Sequence, residues 1–240
     1  MTMKRWQLLW QWLGLWVLAV LALQVFFAGR IALMAAIDPQ SSSFQRSEAW
    51  RLAHSDKGLA WRQQWVPYAQ LPDALKRAVI VSEDDVFVLH HGVQWEAVEK
   101  AWQRNARAEA QARQNRPAKI VGGSTITQQL AKNLFLSGER TLWRKSQEFL
   151  LTLMLEALLD KRRILEIYLN NVEWCEGVFG AEAAAQHYFR KPASQLQAWE
   201  AARLVVMLPR PKYFERLPNS AYLQSRTEVI LARMPQARLP

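Results

Sequence analysis

Two adjacent acids, Glu83 and Asp84, follow the apolar residues 78–81, and the run they open ends at Gly92. A carboxylate pressed against apolar surface has its pKa raised by desolvation, which is how a general base that works near neutral pH is made. Acidic residues are also common at helix ends and in solvated turns. Gly92 suits a turn with positive φ. The residues alone therefore leave two interpretations open, an acid–base site and a helix cap.

A second polar cluster occupies residues 122–133, which read Gly-Gly-Ser-Thr-Ile-Thr-Gln-Gln-Leu-Ala-Lys-Asn. Thr125 and Gln128 have the spacing of a capping box, so a helix should begin here and point its first N–H groups at whatever lies in front of it. One face of that helix would carry Thr125, Gln129, Lys132 and Asn133. The cluster predicts an anion-binding helix start, and an ordinary surface helix opened by glycines is the simpler alternative.

A third cluster places two cations one helical turn before an acid. Arg144 and Lys145 precede Glu148 by four and three residues. On a helix that begins near residue 143, both cations can reach the same carboxylate. An exposed ion pair of this kind contributes only a few tenths of a kcal/mol, so it can also be plain surface chemistry.

The elements that must position these clusters are almost all helical. Apolar residues recur at spacings of three and four, both after residue 142 and in a segment that starts at Trp95 and interleaves aromatic with cationic side chains. The chain contains no internal repeat, no Walker loop and no His-rich metal spacing. Beyond the capping-box helix, we predict helices over Trp143–Leu159, Lys161–Asn171, Ala181–Phe189 and Trp199–Leu208.

The N-terminus has the character of a membrane anchor. No charged side chain occurs between Trp6 and Gly29. About 24 residues at a rise of ~1.5 Å span roughly 36 Å, more than the ~30 Å hydrocarbon core and longer than the apolar region of a cleavable signal peptide. Lys4 and Arg5 before the span and Arg30 after it only weakly favour a cytoplasmic N-terminus. Residues 38–74, rich in Pro and Ser, are predicted to connect this anchor to a domain over residues 75–240.

Composition limits the partners. With 31 Lys and Arg against 21 Asp and Glu, the net charge of +10 favours an anionic partner: nucleic acid, an anionic lipid surface or a phosphorylated substrate. One cysteine excludes an internal disulfide and a Cys-rich metal site. Twelve tryptophans, several of them near the N-terminus, are typical of a membrane interface.

Taken together, the clusters resemble the peptidoglycan glycosyltransferases of glycosyltransferase family 51. Four motifs of that family occur in order, and residue 175 departs from its pattern because Cys stands where Gly is usual. The motifs are Glu-Asp-x-x-Phe-x-x-His-x-Gly at Glu83, Asp84, Phe87, His90 and Gly92; Gly-Gly-Ser-Thr-Ile-Thr-Gln-Gln-x-x-Lys-Asn at 122–133; Arg-Lys-x-x-Glu at Arg144, Lys145 and Glu148; and Ile-Leu-Glu-x-Tyr-Leu-Asn at 164–170.

The resemblance implies roles for these residues. Glu83 is the expected general base, and Glu148 is the second catalytic carboxylate and the candidate ligand of a divalent cation, Mg²⁺ or Mn²⁺; no organic cofactor is implied. The residues expected to support Glu83 are Asp84, Phe87, His90 and Gly92. Those expected to bind the substrate and its pyrophosphate are Ser124, Thr125, Gln128, Gln129, Lys132, Asn133, Arg140, Arg144 and Lys145.

The resemblance also implies a mostly α, lysozyme-like fold with two lobes behind one N-terminal transmembrane helix within residues 1–37. The smaller lobe, or jaw, is expected at about 94–120 and is expected to contact the bilayer. The implied reaction transfers a lipid-linked glycan chain onto the 4-hydroxyl of lipid II, forming a β-1,4 bond with inversion and releasing polyprenyl pyrophosphate.

The implied setting is the bacterial inner membrane, with the N-terminus in the cytoplasm and the catalytic domain in the periplasm. Expected partners are lipid II, the growing lipid-linked strand, the membrane and other cell-wall or division proteins, but no nucleic acid. With 240 residues there is no room for a transpeptidase domain, so a monofunctional enzyme is expected. A lysozyme-like hydrolase and a non-catalytic membrane scaffold are the alternatives.

Overall fold

The computed structural model describes residues 2–55, 58, 60–95, 99, 103, 124–136 and 141–240, with side chains from residue 6 onward. The described helices confirm the mostly α class predicted from the sequence. They are α1 (Thr2–Leu33), α2 (Ser43–Ala53), α3 (Asp73–Glu83), α4 (Ile126–Phe135), α5 (Leu142–Leu158), α6 (Lys161–Asn171), α7 (Ala181–Phe189), α8 (Ala198–Met207), α9 (Pro211–Phe214) and α10 (Ala221–Arg233), with 3₁₀ turns at Tyr68–Gln70, Ala193–Gln195 and Met234–Gln236.

Two groups of packed helices form the core. Helices α3, α8 and α10 pack against one another, and α4 packs against α2, α5 and α6. The periodicity that predicted these helices also supplies their buried faces: Leu151 and Leu155, one turn apart on α5, are fully buried, as are Ile164 and Leu165 on α6. The C-terminus of α3 and the N-terminus of α4 meet between these groups, which brings the first two sequence clusters together.

A small sheet closes one side of this core. Its strands β1 (Arg62–Gln63), β2 (Glu173–Cys175) and β3 (Val178–Phe179) lie in the order β1-β3-β2, with β1 parallel and β2 antiparallel to β3. The turn between β2 and β3 needs glycine at Gly177, where φ is +74° and a Cβ would lie 2.0 Å from the carbonyl oxygen of Ala60. Arg190 is the one non-glycine residue with positive φ in the described part of the chain, so Cys175 occupies its position with an ordinary backbone conformation.

Helix α1 is long and apolar enough to cross a membrane, judged by length and composition over Trp6–Leu33. Its C-terminal end is fastened to the folded core. Ile31 and Met34 are buried. Nε of Arg163 donates to the backbone oxygen of Met34 at 2.7 Å, and the same guanidinium pairs with Asp38 at 2.7 Å. The predicted anchor therefore ends inside the core of the domain.

The segment 38–74, predicted as a connector, contacts the folded core through several of its described residues. Helix α2 begins with a buried capping box between Ser42 and Gln45. The side chain of Asn170 binds both the backbone N–H and the carbonyl of Val66, at 2.8 and 2.9 Å. Leu71 lies in the main core. The segment predicted as the jaw, about 94–120, falls almost entirely outside the described residues.

Candidate active site

An open cleft of about 820 Å³ is lined by residues from the C-terminal end of α3 and from helices α4 and α5. Both predicted catalytic carboxylates line it, Glu83 and Glu148. So do all the predicted substrate-binding residues except Arg140, which lies outside the described residues: Ser124, Thr125, Gln128, Gln129, Lys132, Asn133, Arg144 and Lys145. The supporting residues Asp84, Phe87, His90 and Gly92 are not among the residues that line it.

Glu83 is the last residue of α3, and its immediate partners are neutral. Nε2 of Gln129 donates to one carboxylate oxygen at 2.9 Å, and Oγ of Ser82 donates to the other at 3.3 Å. The hydroxyl of Tyr168 donates to Gln129 in turn, at 3.0 Å, which fixes the orientation of the amide. Burial raises the pKa of Glu83 and the charge of Asp84 adds to this, against the hydrogen bonds and a more distant Arg226. The environment is that of a carboxylate prepared to accept a proton.

Asp84 connects the first two sequence clusters. Its buried carboxylate accepts hydrogen bonds from Nε2 of His90 at 2.8 Å and from the backbone N–H of Ile126, the first residue of α4, at 3.1 Å. Nδ1 of His90 accepts the backbone N–H of Gly92 at 3.1 Å, so the proton of the ring is on Nε2, facing Asp84. Asp84 thus positions the segment that carries Glu83 against α4.

Position 92 requires glycine for two reasons, its backbone conformation and the lack of space for a side chain. Its φ is +83°, and a Cβ there would lie 2.7 Å from a methyl group of Thr152 and 2.9 Å from Cγ of Glu156. Its carbonyl accepts the hydroxyl of Thr125 at 2.6 Å. Phe87 is fully buried and packs beneath His90. The first motif is therefore a tight turn that closes onto the start of α4.

The start of α4 confirms the predicted capping box but differs from the predicted anion site. Thr125 and Gln128 exchange both hydrogen bonds of the box. The first helical N–H, that of Ile126, is bound by the carboxylate of Asp84, and that of Gln128 by the hydroxyl of Thr125. The chain thus supplies its own anion to this helix start, and these two N–H groups already have acceptors within the chain. Ser124, which precedes the box, is exposed to the cleft.

The third cluster has the geometry predicted from its spacing. Glu148 has a side chain only 4% exposed, and one carboxylate oxygen accepts from Nη1 of Arg144 at 2.7 Å while the other accepts from Nζ of Lys145. The side chain of Arg144 is largely buried, whereas that of Lys145 is 53% exposed. Nε of Arg144 is buried and has no hydrogen-bond acceptor among the described residues. Two cations and one buried anion thus line the cleft, with Lys132 exposed nearby on α4.

Several residues of the cleft were not predicted from the sequence. Arg226, on α10, is close enough to Glu83 to lower the pKa of that carboxyl. Glu173, on β2, is buried, and burial raises its pKa to about 7 even though Lys212 lies 3.5 Å away. Phe44 and Tyr222 complete the wall. None of the four lies in a recognisable motif, and a single sequence carries no signal that would have brought them to the cleft.

Comparison with known proteins identifies the family of the chain. A protein-family model described as Transglycosylase matches residues 52–235, which include every residue of the four motifs. The chain belongs to this family. The family resemblance inferred from the motifs is therefore confirmed, and the matched region begins within the segment predicted as a connector.

Curated relatives in this family are similar over nearly the whole chain. A protein of Burkholderia thailandensis named biosynthetic peptidoglycan transglycosylase is 52% identical over 227 residues, covering 95% of this chain and 86% of the relative. One of Paraburkholderia xenovorans with the same name is 51% identical over 224 residues, covering 93% of this chain and 90% of the relative. The match extends into the N-terminal region that contains α1.

Proposed function

We propose that the chain is a peptidoglycan glycosyltransferase that polymerises lipid II, with Glu83 as general base and the Arg144–Lys145–Glu148 cluster at the leaving group. The observation that carries the proposal is the presence, in one cleft, of a buried carboxylate with neutral partners and a separate group of cations. Membership of the transglycosylase family and the names of the relatives support the same reaction.

Glu83 acts on the acceptor. The 4-hydroxyl oxygen of lipid II attacks the anomeric carbon of the lipid-linked donor while its proton passes to the Glu83 carboxylate. Attack from the face opposite the pyrophosphate inverts the α-linkage to a β-1,4 bond, as in an inverting glycosidase with a sugar hydroxyl in place of water. The raised pKa of Glu83 makes its ionised form a stronger base, and the bond from Gln129 holds it in place.

The cations act on the leaving group. When the bond between the anomeric carbon and the phosphate oxygen breaks, its electron pair leaves with polyprenyl pyrophosphate. Arg144 and Lys145 line the cleft and are both bound to Glu148, and Lys132 lines the cleft from α4. Charged donors already in place stabilise the developing charge without reorganisation. Arg140 stays a prediction for the same role.

A divalent cation at Glu148 stays a prediction from the family resemblance, and the arrangement of the described residues does not fit it. Both oxygens of Glu148 are bound, by Arg144 and by Lys145. A metal ligand with two cations already on its oxygens would have to lose at least one of them first. Glu148 instead positions the two cations, and the proposed reaction has no metal-dependent step.

The setting we propose follows from α1 and the substrate. A chain with one apolar helix at its N-terminus and a lipid-linked substrate is suited to a bacterial inner membrane, with the N-terminus in the cytoplasm and the cleft in the periplasm. Lipid II and the growing strand are the proposed partners, together with the membrane. Other cell-wall synthesis or division proteins stay a prediction.

The test is polymerisation by the purified full chain in detergent, with lipid II as the only substrate. We expect long glycan strands with β-1,4 bonds and release of polyprenyl pyrophosphate. Release of sugar fragments from finished peptidoglycan, without polymerisation, would instead identify a hydrolase. Inactivity in both assays, with correct folding, would favour the scaffold. The cations of the cleft favour the first outcome, because hydrolysis of an uncharged glycosidic bond has no pyrophosphate for them to stabilise.

A further inference from the structure

Three side chains of the kinds that bind transition metals meet away from the residues that line the cleft. Cys175 ends β2, His187 lies on α7, and Glu215 directly follows α9. Their ligand atoms, one from each residue, all lie within 4.8 Å of one another. Nε2 of His187 and a carboxylate oxygen of Glu215 are 3.5 Å apart. Three elements distant in sequence thus converge on one point.

The spacing is close to that of a tetrahedral site. Zinc binds sulfur at ~2.3 Å and nitrogen or oxygen at ~2.0–2.2 Å, which places neighbouring ligand atoms roughly 3.3–3.6 Å apart. His187 and Glu215 already have this separation. All three atoms lie within 4.8 Å of one another, so closing the remaining distance to Cys175 requires a movement of at most about 1.5 Å. The side chains of His187 and Glu215 are about one-third exposed and can make this movement by small rotations.

We propose that Cys175, His187 and Glu215 bind a Zn²⁺ ion, with water as the fourth ligand on the exposed side. The donor set of thiolate, imidazole and carboxylate is one that zinc accepts and that Mg²⁺ and Ca²⁺ do not. One thiolate, one carboxylate and one neutral imidazole balance the charge of the ion. The thiol also has a hydrogen bond with Tyr188, and the charge of Glu173 on the same strand acts on it.

Binding must displace a proton. Burial raises the pKa of the Cys175 thiol to about 12, and the charge of Glu215 adds to this, so the thiol is protonated without the ion. The metal ligand is the thiolate, so binding releases this proton and weakens as pH falls. The alternative arrangement is a hydrogen-bonded cluster in which the thiol stays protonated between Glu215 and Tyr188.

The ion would join two parts of the cleft wall. Glu173, two residues before Cys175 on the same strand, lines the cleft, and so does Pro211, the first residue of α9. Glu215 caps the C-terminal end of α9. A ligand from each of these elements, with a third from α7, would hold the strand and the short helix together. We assign the ion this structural role, separate from the reaction.

The experiment uses the full chain in detergent, freed of metal by chelator and then titrated with Co²⁺, a spectroscopic substitute for zinc. The chain has a single cysteine, so a thiolate-to-cobalt charge-transfer band can come only from Cys175. We expect one equivalent of Co²⁺ to produce this band, Zn²⁺ to abolish it by displacement, and excess Mg²⁺ to leave it unchanged. Zn²⁺ at about 100 times its dissociation constant should raise Tm by roughly 5 °C or more.

Two variants and a control complete the test. Cys175→Ser should lose the band and the rise in Tm. His187→Gln should keep the band but need at least about tenfold more Co²⁺, so the test survives if the first variant does not fold. His54→Gln, at a histidine bound to the backbone of its own helix, should behave as wild type. The proposal would be overturned if the wild-type chain gave no band at saturating Co²⁺, or if Zn²⁺ raised the Tm of both variants as much as that of wild type. Either result would leave the hydrogen-bonded cluster.

Discussion

Glu83 and Glu148 are carboxylates in one cleft, but the chain gives them opposite partners. Glu83 accepts hydrogen bonds from the neutral side chains of Gln129 and Ser82. Glu148 is enclosed by Arg144 and Lys145. Both carboxylates are shielded from water, so burial alone does not distinguish a base from a structural anion. The charge of the partners does, because neutral donors leave a carboxylate able to take a proton whereas two cations compensate its charge.

The two carboxylates also differ in how they are held. Glu83 is attached to the core through Asp84, which binds the N-terminus of α4, and through Tyr168 on α6. Glu148 lies on α5, and its neighbour Gln147 exchanges two hydrogen bonds with Gln24 of α1. The base is therefore positioned by the domain core, and the cationic cluster lies beside the anchor helix.

The largest effect is expected from Glu83→Gln. The amide keeps the shape but cannot accept the proton, so the rate of polymerisation from lipid II should fall by about 10²–10⁴. Because burial raises the pKa of Glu83 in the folded state, its ionised form costs stability above that pKa. The neutral variant should therefore have a Tm equal to or above that of wild type at neutral pH.

The matched control is Asp85→Asn, two residues along the chain. Asp85 is exposed and pairs with Arg233 at 3.2 Å, outside the residues that line the cleft. We expect its activity to stay within about twofold of wild type, since exposed ion pairs contribute little. A Glu83→Gln variant that keeps more than a tenth of wild-type activity would remove the base assignment.

Glu148→Gln should have the next largest effect, and of a different kind. Arg144 and Lys145 would keep their charges without the buried anion that positions them, so both Tm and the rate of polymerisation should fall. Breaking a fully buried ion pair costs ~3–5 kcal/mol, and the loss of stability here should be smaller because Lys145 is half-exposed. We expect a rate loss of roughly 10–10² with no shift of the pH profile, since the base is untouched.

Removal of one cation should distinguish the roles of the two carboxylates further. In the Glu148→Gln background, Lys145→Gln removes a charge that no longer has its partner and should recover part of the lost Tm, measured by thermal unfolding of all four members of the cycle. If the pH dependence of the polymerisation rate shifts in Glu148→Gln, Glu148 titrates in the reaction and is not only a structural anion.

Much of this contrast was predictable because it is local in sequence. The i,i+3 and i,i+4 spacing of Lys145, Arg144 and Glu148 determines that both cations meet one carboxylate on a helix. The capping box of Thr125 and Gln128 is equally local. Helix existence followed from periodicity in the same way, with ends that differ by a residue, as for α5.

What could not be predicted depends on contacts between distant segments. Asp84 binds the N–H of Ile126, 42 residues later, and so occupies the helix start that the sequence offered to a ligand. Arg226 reaches the environment of Glu83 from α10. The meeting of Cys175, His187 and Glu215 has no spacing motif. These contacts depend on how the helices pack. Periodicity in the sequence shows which face of a helix is buried, but not which other helix that face contacts.

The pH profile offers a smaller and more selective test. Activity needs ionised Glu83, so its rate should rise with pH through a pKa above that of an ordinary glutamate. The hydrogen bond from Gln129 lowers that pKa, so Gln129→Leu should raise it and move the ascending limb to higher pH. Arg226→Gln should move the limb in the same direction, because the charge of Arg226 also lowers the pKa of Glu83. An unmoved limb in both variants would mean that another group controls it.

The smallest effect is expected where the cationic cluster meets the anchor. Gln24 and Gln147 donate to each other at 3.1 Å, and Gln24 lies within the apolar span of α1. Side-chain hydrogen bonds between helices in a membrane average ~0.6 kcal/mol. Gln24→Leu should therefore lower Tm by only a degree or two and change the rate less than about twofold.

The informative quantity is the coupling between the two glutamines. Gln24→Leu and Gln147→Leu should each remove the same pair, so the double variant should lose no more Tm than either single variant. Gln11→Leu, at an exposed position of the same helix, should be additive with Gln147→Leu. Additivity of Gln24 and Gln147 would show that α1 is not held beside the cationic cluster in solution. Coupling would place the anchor helix against Gln147, the residue next to Glu148 on α5.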